Sequence, residues 1–230
     1  MTLTPEEWQA VRLSLTVSLR AVAVSLPLAT LMALLLARGR FPGRTLLDAI
    51  VHLPLVVPPV VTGWALLLLF GLRGPLGAPL FEWFGIRLAF TSEGAALATG
   101  VMTFPLIVRA IRLSLEGLDH GLEDAAATLG AGRLDRFLTV TLPLMAPGIL
   151  AGGVVAFAAG LGEFGAVITF ASNVPGETQT LPLAIYSATQ SPGGEVVAAR
   201  LAAISFVLAI LGLLASDVLA RWLARRLGRG

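Results

Sequence analysis

Five long apolar runs divide the chain, and between them charges, prolines and glycines return. The runs cover residues 13–36, 46–70, 95–111, 144–170 and 196–219. Crossing the hydrocarbon core of a bilayer as a helix takes about 20 mostly apolar residues, because no backbone group can stay unpaired in lipid. The pattern therefore predicts an all-α integral membrane protein with about five transmembrane helices. The second run carries Pro54, Pro58 and Pro59. Each removes a backbone donor and kinks a helix, and the freed carbonyls must be satisfied by neighbours or water. Such a bend suits either packing or the lining of a pathway. The fourth run is too long for one perpendicular crossing and is predicted to break at 160–165. Residues 171–195 are rich in Pro, Gly, Ser and Thr, with one apolar piece at 181–186. That piece is too short to span and reads as an interfacial or re-entrant helix.

Composition agrees. Of 230 residues, 56% are hydrophobic and 13% charged, against about 25% charged in a soluble domain. The chain has no cysteine, hence no disulfide and no thiolate metal site. It also has no lysine, so all 16 basic residues are arginines. That excludes a P-loop lysine, a Schiff-base lysine and a kinase-type lysine together. The segment after the first run holds Arg38, Arg40 and Arg44, and the segment after the third holds Arg109, Arg112, Arg133 and Arg136. The C-terminal tail adds Arg221, Arg225, Arg226 and Arg229. These three segments alternate correctly with five spans and hold 11 of the 16 arginines, which predicts that they face the cytoplasm, with N-out/C-in topology. The N-terminus reads as a helix start rather than a signal peptide: Thr4 as cap, Pro5 in the first turn, then Glu6 and Glu7 at the positive helix end.

Few side chains inside the runs suggest chemistry. Glu163 falls near the outer boundary of the fourth run, where a carboxylate is cheap. It reads as a structural residue bonded to backbone or to an arginine. Arg20 lies inside the first run and is expected to snorkel to the outer interface, the alternative being a charge that attracts anions. Gly148 and Gly152 form a small-xxx-small pattern suited to close helix packing. His52 and His120 are too few and too far apart in sequence for a metal site, and no catalytic motif or paired carboxylates project into a span.

The most informative stretch is the polar island at residues 123–143, EDAAATLGAGRLDRFLTVTLP. A small-residue helix over 121–129 carries Ala125, Ala126 and Ala127, and alanines let another backbone approach closely. Gly130 and Gly132 permit a sharp turn. A second short helix is expected to run through Phe137 and end before Pro143. The island resembles the EAA loop of ABC importer permeases: Glu-Ala-Ala, three residues, Gly, nine residues, Ile, one residue, Leu-Pro. Aligned on Gly130, Asp124 takes the Glu position, followed by Ala125 and Ala126; Val140 takes the Ile position, and Leu142 and Pro143 follow after Thr141. Glu123 precedes Asp124, so either acid can play the family's role.

Further segments, HLPLVVPPVVTG at 52–63, GEFGA at 162–166, SNVPGET at 172–178, FPG at 41–43 and GGE at 193–195, resemble molybdate permeases of the ModB type. The sulfate and thiosulfate permeases share the Leu-Pro near Leu53 and the GEFG element. Resemblance implies a single transmembrane permease domain over 1–230, with a cytoplasmic coupling loop at about 117–143 between the third and fourth spans. It implies a homodimer in the bacterial inner membrane, served by a cytoplasmic ABC ATPase (ModC-like) and an extracytoplasmic molybdate-binding protein (ModA-like), with no cofactor of its own and no nucleic acid. The coupling residues are then Glu123, Asp124, Ala125, Ala126, Gly130, Val140, Leu142 and Pro143. Pathway and gate candidates are Pro54, Pro58, Pro59, Thr103, Gly162, Glu163, Phe164 and Gly165. Since desolvating a dianion is prohibitive, hydroxyls such as that of Thr103 and backbone N–H groups are expected to line a hydrated path. Sulfate or tungstate are the alternative substrates, and a membrane-embedded enzyme is the alternative class.

Overall fold

A computed structural model describes residues 3–118 and 120–226, and every regular element among them is helical. α1 (Pro5–Arg38) starts as the sequence implies. The Thr4 hydroxyl accepts from the Glu7 N–H at 3.3 Å, while the Glu7 carboxylate accepts from the Thr4 N–H at 2.8 Å. This reciprocal cap satisfies two otherwise orphaned donors. After a turn come α2 (Arg44–His52), a 3-10 turn at Leu53–Leu55 and α3 (Pro59–Phe70).

The second run is not one kinked span. Its halves, Arg44–Leu55 and Pro59–Phe70, meet at a bend of 113°. Pro58 and Pro59 offer no N–H, and each drives the residue before it out of the helical region. Pro58 accordingly takes a ψ of 135°, and the chain turns there. α4 (Gly77–Phe84) follows in the loop 71–94, where the sequence predicts no element; it exposes Trp83 and Phe84. The remaining elements are α5 (Ser92–Glu116), α6 (His120–Thr128), α7 (Arg133–Arg136), a π-helical turn at Phe137–Thr141, α8 (Leu142–Leu161), α9 (Gly165–Ala171), α10 (Leu181–Thr189) and α11 (Glu195–Arg226). Four helices among the described residues are long and apolar enough to cross a bilayer, and the bent pair is the fifth candidate. The fourth run does break inside its predicted window, between Leu161 and Gly165.

α5 sits between α1 and α8 and is the hub of the packing. The approach is close because small residues line the contacts. Gly148, Gly152, Ala156 and Gly160 recur every four residues along one face of α8 and are all buried. A methyl group on Gly148 would lie 2.5 Å from the Ser114 Cβ, and one on Gly160 would lie 2.8 Å from a Thr99 methyl. The small-xxx-small signal thus extends past Gly152, and its partner is α5 of the same chain. α1 presents a matching stripe of Ser14, Ser18, Ala21, Ser25, Ala29 and Ala33, all buried. In lipid, dispersion contacts between closely approached backbones replace the hydrophobic drive that joins helices in water.

α10, read from sequence as interfacial or re-entrant, is docked into the protein. It packs on α11 and α1, burying Leu181, Leu183 and Ala184, and the Leu181 N–H donates to the Ser14 hydroxyl at 2.6 Å. The two ends of the bundle are chemically distinct. Arg38 at the end of α1, Asp48 on α2, Arg112 on α5 and the α6–α7 segment gather at one end through shared ion pairs. Glu7 on α1 and Arg200 on α11 pair at the other. The arginines after the first and third runs therefore share an end, as their sequence alternation predicts. Of the tail arginines, Arg229 and the side chains of Arg221, Arg225 and Arg226 lie outside the described residues.

Candidate functional site

The polar island folds as a helix, a tight turn and a second helix at the arginine-rich end. α6 stops at Gly130, which takes a φ of +88°. The Gly130 N–H donates to the Ala127 carbonyl at 3.0 Å and the Ala131 N–H reaches back to the Ala126 carbonyl at 3.1 Å. This left-handed helix stop is where a side chain is strained and glycine is not. Gly132 then leads into α7.

The expected end of the second helix before Pro143 does not occur. α7 passes through the π turn directly into α8, with the Leu142 N–H donating to the Phe137 carbonyl. Pro143 explains the widened turn: it has no N–H for the carbonyl four residues back, and its ring crowds that carbonyl. The short helix is thereby continuous with α8, one helical stretch over Arg133–Leu161.

Glu123 holds the island to the bundle. Its carboxylate accepts from the guanidinium of Arg38 at the end of α1 and from the hydroxyl of Thr141 in the π turn. Arg38 also reaches the Thr141 hydroxyl at 3.4 Å. Three segments remote in sequence therefore meet on one carboxylate. Asp124, the acid favoured by alignment, is exposed, as are Ala125 and Ala127. So are Leu122, Leu134, Leu138 and, at 88%, Leu129. Leu122 and Leu129 stand seven apart on α6 and its end, and Leu134 and Leu138 four apart beyond the turn, so each pair shares a helix face that is exposed among the described residues. Of the coupling candidates, Val140 and Pro143 are half-buried in that helical stretch. Leu142 also lies there, half-buried. Alongside, Asp48 on α2 accepts from Arg112 on α5 at 2.8 Å and lies 3.2 Å from His52 Nδ1.

The pathway candidates gather at a second place, where the two interrupted helices meet. A methyl on Gly165 would lie 2.7 Å from the Pro59 Cβ, and one on Gly63 would lie 2.6 Å from the Ala166 carbonyl oxygen. The corner at Pro58 and Pro59 thus rests against the break at Gly162, Glu163 and Phe164. Glu163 accepts from the Ala166 N–H at 2.9 Å, so its carboxylate caps α9, matching the expected bond to backbone. Pro54 lines an apolar groove between α1, α2 and α5. Thr103 does not join this group. It is 2% exposed and its hydroxyl donates to the Thr99 carbonyl at 2.9 Å, within α5. Arg20, expected to snorkel, pairs with Glu93 at the start of α5 at 3.1 Å; both are exposed, and such a pair contributes about 0–1 kcal/mol.

Sequence reasoning missed Arg38 and Thr141 as members of the site. In the sequence Arg38 reads only as a loop charge. Thr141 occupies the unspecified position between Val140 and Leu142, and only the backbone path through the π turn brings it to Glu123.

The comparisons bear on the whole chain. Residues 25–229 match the family described as binding-protein-dependent transport system inner membrane component. The molybdenum transport system permease protein ModB of Escherichia coli (strain K12) is 59% identical over 229 residues, covering 100% of both chains. Its counterpart in Haemophilus influenzae is 51% identical over 224 residues, covering 97% of this chain and 98% of that one. A solved bacterial ABC transporter involved in import of the polysaccharide alginate superposes with a TM-score of 0.75 at 17% identity, covering 95% of this chain and 80% of its own. The island at the charged end, the interrupted helices and this match over most of the length place the chain in the family of inner membrane components of binding-protein-dependent transport systems.

Proposed function

We propose that the chain is the membrane permease of an ATP-driven importer that carries molybdate inward. The observation that carries the importer reading is the α6–α7 island: an apolar, exposed helical face, tied by Glu123 to α1 and continuous with α8. The choice of molybdate rests on the end-to-end identity with the Escherichia coli relative. Permeases of this family are non-catalytic, and ATP hydrolysis falls to a partner ATPase. Two copies of the chain pair across a central path, an ATPase of the ModC kind docks on each island, and a binding protein of the ModA kind delivers substrate at the opposite end. The arginine-rich end faces the cytoplasm, giving N-out/C-in topology.

In this mechanism Asp124, Ala125, Ala126, Leu129 and Leu134 meet the ATPase. Gly130 sets the angle between α6 and α7, and the rod through Val140, Leu142 and Pro143 moves with α8. Closure of the ATPases on ATP swings the rods and opens the path outward; hydrolysis returns it inward. Pro58 and Pro59, with Gly162, Glu163, Phe164 and Gly165, form the gate where the two broken helices touch. Glu163→Gln keeps an oxygen for the Ala166 N–H but loses its charge. Uptake by this variant is expected to fall severalfold while the protein assembles normally, read as uptake against the amount of purified complex; wild-type uptake would remove the gate role.

Reconstitution tests the function as a whole. With ATPase and binding protein present, labelled molybdate should enter proteoliposomes only when ATP is supplied. Unlabelled molybdate should compete and excess sulfate should not. Entry without ATP would overturn the importer reading, and equal competition by sulfate would overturn the substrate.

A further inference from the structure

Beside the Glu123 tie lies a polar cleft of about 270 Å³, lined by Arg38, Glu123, Arg133, Arg136, Phe137 and Thr141. Three guanidiniums face one carboxylate there. Glu123 is already matched by Arg38, so the cleft keeps an excess positive charge from Arg133 and Arg136. Neither of these makes an ion pair among the described residues. The Arg136 Nε is fully buried and donates to no atom of the described chain. A buried donor left unmatched costs about 1–3 kcal/mol. The floor is the π turn, a widened backbone of a kind frequent at functional sites.

We propose that this cleft is a binding site for a tetrahedral oxyanion. Arg133 and Arg136 stand three residues apart on a helical turn and so emerge on the same face. Their planar forks can each take two oxygens of one anion. A tetrahedral dianion presents oxygens in enough directions to engage both forks at once, and it accepts from the Thr141 hydroxyl on the remaining side; a carboxylate fills only one fork. The chemistry is that of a free oxyanion such as phosphate or molybdate, or of the phosphate in an anionic lipid headgroup, since the site opens at the charged end of the bundle. An ion seated there ties α7 to the π turn, beside the link that Glu123 makes between α6, α1 and that turn.

The test uses the full chain without ATPase or binding protein, so its outcome does not depend on what the importer carries. Molybdate and inorganic phosphate are titrated by calorimetry against the chain in phosphatidylcholine nanodiscs. Saturable binding of either ion, one per chain, is expected, and Arg133→Gln with Arg136→Gln should weaken it by about tenfold or more, since losing even one charge-assisted bond accounts for tenfold. Arg136→Lys, which keeps the charge and loses the fork, should fall between. In a second arm, nanodiscs containing phosphatidylglycerol are examined by native mass spectrometry. If the lipid phosphate is the ligand, the wild type retains a phosphatidylglycerol molecule that the double variant releases, and the lipid displaces the soluble ions. Circular dichroism and melting confirm that the variants fold; if the double variant does not, Arg133→Gln alone is read. No saturable binding of either ion together with no retained anionic lipid overturns the site, and so does equal binding by the folded variant.

Discussion

Removing the Glu123 carboxylate is expected to uncouple the transporter. Glu123→Ala takes away the acceptor shared by Arg38 and Thr141 and leaves Arg38, whose side chain is 41% exposed, without that partner. Charge-assisted bonds contribute about 1.5–3 kcal/mol each when enclosed, but partial exposure screens this one. A combined loss of about 2 kcal/mol follows, enough to shift the balance between tethered and released island roughly thirtyfold. A released island turns over ATP without moving α8. The expected result is therefore ATPase activity that persists while molybdate uptake falls by about tenfold or more. Glu123→Gln keeps an oxygen for Thr141 and should lie between. Asp124→Ala should leave the fold and its melting temperature untouched and act only through the partner's docking strength. Exchanging the charges, Arg38→Glu with Glu123→Arg, should restore part of the uptake. The idea fails if Glu123→Ala transports normally with ATP use still linked to uptake.

Arg200→Ala is expected to have the largest effect on stability. Arg200 donates through Nε to Glu7 at 2.9 Å and pairs with it through a second guanidinium nitrogen, while Glu7 is only 4% exposed. Removing the arginine leaves the buried carboxylate its Thr4 N–H but no charge partner, which costs up to about 3–5 kcal/mol. Against a total stability of about 5–15 kcal/mol that is a large share. It corresponds to a drop in melting temperature on the order of 10 °C for a chain of this size. The double variant Glu7→Ala with Arg200→Ala strands no charge and should recover much of the loss, which gives a coupling larger than measurement error in a double-mutant cycle. Thermal melting of the purified chain reads all three. An Arg200→Ala protein that melts with the wild type, or a double variant as unstable as the two losses summed, would show that the pair does not hold α1 to α11.

Much of this was legible before any coordinates. The apolar runs located the long helices because lipid leaves the backbone no partner but itself. The Thr4 cap, the Gly130 turn and the break after Leu161 each follow from a local rule that needs only a few neighbouring residues. The arginine alternation grouped the segments that share an end. The misses have physical causes too. At Pro58 and Pro59 the local rule gave a kink, but not its size, because the 113° bend is fixed by where α3 finds α9 to rest on. A hydroxyl such as that of Thr103 can serve water or a helix carbonyl equally well, and the sequence does not say that it turns to the Thr99 carbonyl. The stripe of small residues on α1, from Ser14 to Ala33, was present in the sequence as a repeating spacing and marks the contact face.

The sequence by itself determined that the chain is a bundle of membrane helices with a polar, glycine-broken island between the third and fourth spans. Those features arise from interactions within a turn or two of the chain, where spacing is geometry. The tertiary structure alone decided which acid of the island faces inward. Glu123 rather than Asp124 points to Arg38, a residue 85 positions away, and Glu7 finds Arg200 across 193. Adjacent residues on a helix differ by about 100° in direction, so neighbours with the same chemistry take opposite fates, and only the packing of the remaining helices says which side is which.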